Sequence, residues 1–360
     1  MSTILQLTGV SKSYGEVSAL RAVHLDVADN AYVTLLGPSG SGKTTLLRVI
    51  AGFELPDAGS VALRGRPIDG VPAHRRGIGF VFQNFALFPH LTVERNISYG
   101  LENRETDPVT DPKIWRGRTK DIMELVGLTG FGGRNVNQIS GGQRQRVALA
   151  RTLITEPRLV LLDEPLGALD ANLRSRMRAE LRQIRERLGI AFLHVTGNES
   201  EALAMGDVVV VLDHGAVTQI GDPDTVYNRP ASPQVARFLN RYNLFTGQPS
   251  TADFQTAHGR FPIAGANVIT ATGAEPAYAI RYDRIAVKPA AASAGAGEVR
   301  VEGAFVASEY TGASVLSFFA LPDGKVIEVE SHLSQRPPET YEPHAPYSLI
   351  WNREAALVFV

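Results

Sequence analysis

Apolar and polar positions alternate through parts of residues 4–36, most clearly in Val23-His24-Leu25-Asp26-Val27, with a turn at Tyr14-Gly15. A period of two marks half-buried strands, so antiparallel strands are predicted here. Tyr32-Val33-Thr34-Leu35-Leu36 is apolar almost throughout and predicts a fully buried strand. Residues 59–83 predict two more strands around Arg64-Gly65-Arg66-Pro67. Residues 92–154 read as mainly helical, broken by the polar stretch 103–112. Leu159-Val160-Leu161-Leu162 is another short buried strand, and it ends in Asp163-Glu164. Over 171–188, Leu173, Met177, Leu181, Ile184 and Leu188 recur at helical spacing and form one apolar stripe. Arginines fill the rest of that helix, which reads as a solvated face paired within the helix to Glu180 and Glu186. A strand over 190–196, a helix near 199–205 and a strand over 208–212 follow. Strands alternating with helices predict a largely parallel α/β sheet.

Past residue 240 the pattern changes. Segments 278–287, 299–306, 314–321 and 326–331 are β-rich, Pro322-Asp323-Gly324-Lys325 is a hairpin-type turn, and 290–297 is an Ala/Gly-rich loop. A small, barrel-like all-β domain is expected there. Charge shifts at the same place. From Phe245 onward eight Lys/Arg face twelve Asp/Glu, a net of −4, whereas the first 244 residues carry a net of +3. The whole chain has a net charge of −1, which gives no support for nucleic acid as a partner. No apolar run approaches the roughly 18 residues of a membrane span, and the start lacks the pattern of a signal peptide. The absence of cysteine rules out disulfides and thiolate metal sites and fits the cytoplasm.

The run Gly37-Pro38-Ser39-Gly40-Ser41-Gly42-Lys43-Thr44-Thr45 lies between the buried strand 32–36 and the apolar helix that begins at Leu46. Strand, glycine-rich loop and helix in that order suit a nucleotide phosphate chain. Glycines let backbone N–H groups curl around phosphates, and the helix N-terminus adds partial positive charge. Lys43 is placed for the β- and γ-phosphates and the Thr44 hydroxyl for Mg²⁺. Asp163 is a second candidate Mg²⁺ ligand, because strand ends at the carboxyl edge of a parallel sheet are where ligands bind. Glu164 is the candidate to orient or deprotonate the attacking water. A second glycine-rich element, Ser140-Gly141-Gly142-Gln143, opens another helix with Ser140 as its N-cap. It is a further anion site, and it cannot take the phosphates already held by the first loop. Two phosphate-binding surfaces on one chain suggest head-to-tail pairing of two copies around shared ATP.

Gly37–Thr45, Gln83 in Val81-Phe82-Gln83, Ser140–Gln143, Leu159–Glu164 and Ala168-Leu169-Asp170 resemble the Walker A, Q-loop, signature, Walker B and D-loop of ABC-transporter ATPase subunits of the importer type. The likeness runs through about residue 236. It implies an α/β P-loop NTPase ABC domain over 1–236, with a parallel sheet core, an antiparallel β subdomain and a helical subdomain at about 88–154. The rest, 237–360, resembles the TOBE/OB-like all-β regulatory domain of importers for maltose, polyamines, ferric iron, sulfate or phosphonates. Ala279–Ile285 stands where those domains carry an Ile-Arg-Pro-Glu-type segment, with Tyr282 replacing the Pro.

The resemblance further implies an ATP-sandwich dimer in which Lys43 of one copy and Ser140 of the other grip one γ-phosphate. Gln83 would contact Mg²⁺ and the attacking water, and Asp170 would belong to the nucleotide site. Tyr14 matches the aromatic residue that stacks on adenine, the alternative being a Tyr packed at a strand end. Phe85–His90 resembles the surface that receives a membrane subunit, the alternative for Phe85, Leu87 and Phe88 being core packing. The implied partners are a second copy, two permease subunits and, indirectly, a solute-binding protein, at the cytoplasmic face of the membrane. The cargo, which the partners select, is expected to be a polyamine, ferric iron or a phosphonate.

One position departs from the family pattern. The family carries a His after the Val-Thr that ends the strand following Walker B, whereas this chain reads Val195-Thr196-Gly197-Asn198. His194 lies three residues earlier, so it should face the other side of the strand as a packed residue. Asn198 or a water would take over the contact, or hydrolysis is slow. Glycine there leaves an alternative function open, a catalytically weak ATP-sensing regulator. Soluble ABC proteins of DNA repair or translation fit less well, for want of long coiled coils or a second ATPase module.

Overall fold

In this computed structural model the described residues are 2–360 without 106, 168, 272–273 and 335–338, nor the side chain of 171. Two compact units divide the chain, Met1–Val226 and Tyr227–Val360.

The first unit runs β1 (Thr3–Tyr14), β2 (Val17–Ala28), β3 (Tyr32–Leu36), α1 (Lys43–Ala51), β4 (Ala58–Leu63), β5 (Arg66–Pro67), β6 (Ile78–Val81), α2 (Val93–Glu102), α3 (Pro112–Leu125) and α4 (Gly141–Leu153). It continues with β7 (Leu159–Asp163), α5 (Ala171–Leu188), β8 (Ala191–Thr196), α6 (Glu199–Met205), β9 (Val208–Asp213) and β10 (Ala216–Gly221). The helix α7 (Pro223–Asn228) spans the division. One sheet has the order β10-β9-β3-β8-β7-β6, parallel except for the antiparallel edge strand β10. Every residue of β3, β7 and β8 is buried, as expected of parallel strands covered on both faces. The other sheet, β2-β1-β4-β5, is antiparallel. Residues 59–83 therefore supply strands to both sheets, because β6 leaves the β4–β5 hairpin and pairs with β7.

Two cores result. Apolar faces of β1, β2 and α1 share one, with Leu46, Leu47, Val49 and Ile50 buried. The helices α2 to α5 share the other with Tyr32, Phe85 and Phe192. Among the described residues, no ion pair runs between two side chains of α5, unlike the pairing predicted for its arginine face. Glu180 accepts from Arg146 of α4 at 2.6 Å, and Arg185 pairs with Asp207. The reason is close packing of α4 on α5: a Cβ on Gly142 would lie 2.6 Å from Leu173 Cδ2.

Arg76 is buried without a carboxylate partner. Its guanidinium donates to the carbonyls of Val49 (2.9 Å), Ile50 (2.8 Å), Val71 (2.8 Å) and Asp69 (3.2 Å), closing the C-terminal end of α1. A lysine cannot reproduce this fork. Arg76→Lys is expected to cost about 2 kcal/mol, read as a lowered urea midpoint.

The second unit contains α8 (Pro233–Phe238), β11 (Tyr242–Pro249), β12 (Asp253–Thr256), β13 (Gly259–Pro262), β14 (Asn267–Ile269), β15 (Ala277–Arg281) and β16 (Ala286–Pro289). The strands β17 (Glu298–Tyr310), β18 (Ser314–Ala320), β19 (Val326–His332), β20 (Pro346–Asn352) and β21 (Leu357–Phe359) complete it. They form two sheets, β13-β12-β11-β15-β21-β14 and β16-β20-β17-β18-β19. Trp351 anchors the core, with Phe245 and Phe261 within 6 Å of its ring and its Nε1 donating to Tyr278 Oη at 3.1 Å. Ala236 of α8 packs with Tyr242, Ala277 and Phe359. α8 thus lies in the second of the two compact units. A 3₁₀ turn at Tyr282–Arg284 splits the predicted strand 278–287 into β15 and β16.

Candidate active site

The first loop follows β3 and closes at Gly42, where the backbone is left-handed at φ 101°. Only glycine fits there: a Cβ would stand 2.3 Å from the Ala19 carbonyl oxygen. No side chain caps the start of α1, so its first N–H groups are free to meet an anion. Ser41 Oγ is buried without a hydrogen-bond partner, a donor waiting for an acceptor. The Lys43 ammonium is folded back onto the loop, donating to the carbonyls of Gly37 and Pro38 at 2.8 Å each. Burial lowers its pKa. Ser39 and Gly40 are exposed at the loop tip, and Thr44 is exposed beside half-buried Thr45.

Asp163 ends β7 on the neighbouring stretch of sheet, and Thr44 Oγ1 donates to its Oδ1 at 3.3 Å. Burial, reinforced by the Glu164 charge, raises the Asp163 pKa. A carboxylate and a hydroxyl this close are oxygen ligands of the type a hard divalent cation takes. Glu164 is held in the left-handed region at φ 44°, a strained setting that positions a functional side chain. Its N–H donates to Val195 O at 3.0 Å. Gln83, just past β6, donates from Nε2 to Glu164 Oε2 at 2.9 Å. The structure thus brings Lys43, Thr44, Asp163, Glu164 and Gln83 to one edge of the parallel sheet.

Ser140 caps α4 within a capping box. Its Oγ accepts from Gln143 N at 3.3 Å, and Gln143 Oε1 accepts from Ser140 N at 2.8 Å. Gly141 and Gly142 form the first turn of the helix. Among the described residues no hydrogen bond or ion pair links Ser140–Gln143 to Gly37–Thr45. Asp170 caps α5, with Oδ1 accepting from Leu173 N at 2.9 Å. Ala168, named with it in the sequence, lies outside the described residues. Tyr14 ends β1 with its ring 45% exposed, and Lys12 Nζ lies 5.7 Å from the ring centre. An exposed ring is open to stacking.

His194 is fully buried. Its Nδ1 lies 2.8 Å from Tyr32 Oη, and its Nε2 lies 2.8 Å from Glu201 Oε1, off the line of a straight hydrogen bond. It is the packed strand residue its position predicts. Asn198 Oδ1 accepts from Glu201 N at 2.8 Å and so caps α6. The cap uses its carboxamide oxygen and leaves the Nδ2 amide as a donor. A Cβ on Gly197 would meet only Glu164 Oε1 within 4 Å. Of the segment Phe85–His90, Phe85 is core, Leu87 packs against the core, and Phe88 is half-buried against Tyr99 with ring centres 4.4 Å apart. Sequence reading missed the aromatic group of Phe53, Phe80 and Phe82, of which Phe53 is exposed. It also missed a cavity of about 930 Å³ lined by His74, Arg75, Ile78, Tyr99 and Arg104.

Residues 20–167 match the ABC transporter family and residues 278–359 the TOBE domain. The chain is 45% identical over 248 residues to the spermidine/putrescine import ATP-binding protein PotA of Clostridioides difficile, covering 69% of this chain and 70% of that protein. It is 48% identical over 240 residues to the sulfate/thiosulfate import ATP-binding protein CysA of Thermosynechococcus vestitus, covering 67% and 70%. Among solved structures it resembles the dimeric ATP-binding cassette MJ0796 in a post-hydrolysis state bound to ADP and Pi. That likeness has 31% identity and a TM-score of 0.56 over 61% of this chain and 99% of that one. With both glycine-rich helix starts and the strand-end acids in place, this chain belongs to the ABC transporter family: it is an ATP-binding, ATP-hydrolysing import subunit with a C-terminal TOBE domain.

Proposed function

We propose that two copies of this chain clamp ATP between them and drive solute uptake through two permease subunits, fed by a solute-binding protein. The carrying observation is the gathering of Lys43, Thr44, Asp163, Glu164 and Gln83 at one sheet edge, with Ser140–Gln143 unattached to it. One copy alone offers two half-sites, and head-to-tail pairing completes both. Gly37–Thr45 cradles the phosphates, Tyr14 stacks on the base, and Ser140-Gly141-Gly142-Gln143 with Asp170 closes the cage from the other copy. Thr44, Asp163 and Gln83 would hold Mg²⁺, which would supply positive charge against the transferred phosphoryl group. Glu164 takes or orients the proton of the attacking water, held in aim by Gln83. The permease docks by the cleft that Tyr99 lines, next to Phe88, and the chain works at the cytoplasmic face of the membrane. No helix among the described residues is long and apolar enough to cross it. For cargo we take the polyamine reading, in line with PotA-type relatives.

Co-expression with candidate permease subunits of polyamine importers tests this directly. The expected result is a membrane complex holding two copies of the chain that hydrolyses ATP and accumulates labelled spermidine in vesicles. Uptake of sulfate instead would overturn the cargo. Nucleotide binding without membrane partners or turnover would favour the regulatory reading that Gly197 supports.

A further inference from the structure

Two consecutive residues just past Gln83 lie in the left-handed region without being glycine, Phe85 at φ 64° and Ala86 at φ 45°. Such backbone persists only where its surroundings hold it. The holder is Arg151. One guanidinium nitrogen donates to Ala86 O at 2.8 Å and the other to Phe85 O at 2.9 Å, so one planar fork grips both strained peptides. The same guanidinium lies 5.4 Å from the Phe88 ring centre. Its partners are neutral carbonyls, and burial lowers its pKa. The far end of the segment is pinned by buried Asn96, which accepts from Phe88 N at 2.8 Å and donates to the carbonyls of Phe88, Leu91 and Thr92. Residues 85–92 are therefore a preformed strap tied to α2 by Asn96 and to α4 by Arg151.

The place of Arg151 on α4 gives the strap its meaning. Ser140 caps the first turn of that helix and Arg151 lies in its last. Thirteen residues separate the ends by roughly 20 Å. Val147, Ala148, Leu149 and Ala150 are buried between, so the helix moves as one packed body.

We propose that Arg151 is a positioning residue: by fixing the left-handed Phe85-Ala86 backbone from the last turn of the helix that Ser140 caps, it sets Gln83 and its grip on Glu164. This rests on the reading of Glu164 and Gln83 given above. The fork is what the task needs, because an ammonium satisfies one carbonyl and lets the other peptide relax.

The test uses the complete complex with its permease and compares Arg151→Lys, Ala86→Gly and the double variant, with Arg151→Gln standing in if the lysine variant does not fold. Arg151→Lys is expected to lower kcat by about tenfold through misplacement of the strap, with the KM for ATP within about twofold of the unaltered value. Ala86→Gly in the same chain should restore most of that loss, because glycine adopts the left-handed backbone without the fork. Unchanged turnover in Arg151→Lys overturns the inference. So does a loss that the glycine fails to relieve, which would make Arg151 a packing residue only. If the unaltered complex itself does not hydrolyse ATP, the functional reading fails, and this inference with it.

Discussion

Glu164→Gln is expected to cut ATP turnover about 10³-fold while nucleotide binding persists. The substitution keeps the size and most contacts of the side chain and removes only its ability to accept a proton. Glu164 is the group best placed for that role. It follows the last residue of a buried strand, its left-handed backbone aims it off the sheet edge, and Gln83 holds Oε2 while Oε1 faces the space beside Gly197. Asp163 cannot take over, because it is buried against Thr44. In the proposed site, binding rests on Lys43 and the loop N–H groups, which the change does not touch. The variant complex should therefore accumulate in the ATP-bound, closed form. Phosphate release and light-scattering mass of the chain with and without Mg-ATP check both halves. Turnover within threefold of the unaltered chain would remove Glu164 from the mechanism.

Local chemistry made the phosphate loop, the strand-end acids and the Ser140 cap legible, since each is written in fewer than ten consecutive residues. The buried strands were legible for the same reason: Tyr32–Leu36 and Leu159–Asp163 carry their burial in their own composition. What stayed hidden depends on partners far along the chain. Gln83 and Glu164 stand 81 residues apart, and nothing near either announces the bond between them. Arg151 looks like any helix-end arginine until Phe85 and Ala86, some 65 residues earlier, turn their carbonyls toward it. Glu180 had arginines on its own helix within reach, and tertiary packing chose Arg146 instead. The parallel pairing of β14 with β21 joins Asn267–Ile269 to Leu357–Phe359, a match no periodicity could reveal. Phe85 shows the converse limit, since an aromatic residue in a loop reads equally as a partner contact or as core.

Gly197→His is expected to raise turnover by up to about 10²-fold, the worth of one well-placed transition-state contact. The position accepts a Cβ without a clash. Its backbone is not left-handed, and a Cβ there meets nothing nearer than Glu164 Oε1 at 4.0 Å. His194 cannot already be doing the work, because it is enclosed by Tyr32 and Glu201, while Asn198 spends only its carboxamide oxygen on the cap of α6. A new imidazole would stand beside Glu164, the proposed catalytic carboxylate, and add a donor for the transferred phosphoryl group. Gly197→Ala is the control. It removes the same backbone freedom without supplying an imidazole, so its turnover should stay near that of the unaltered chain, and a gain shared by both variants would point to stiffening of the 196–198 turn. The gain in the His variant should lie in kcat rather than in ATP affinity, since Lys43 and the loop already hold the ground state. If Gly197→His leaves kcat unchanged, the Asn198 amide or a water already makes the contact, and glycine at 197 reflects a compensated site rather than a slowed enzyme.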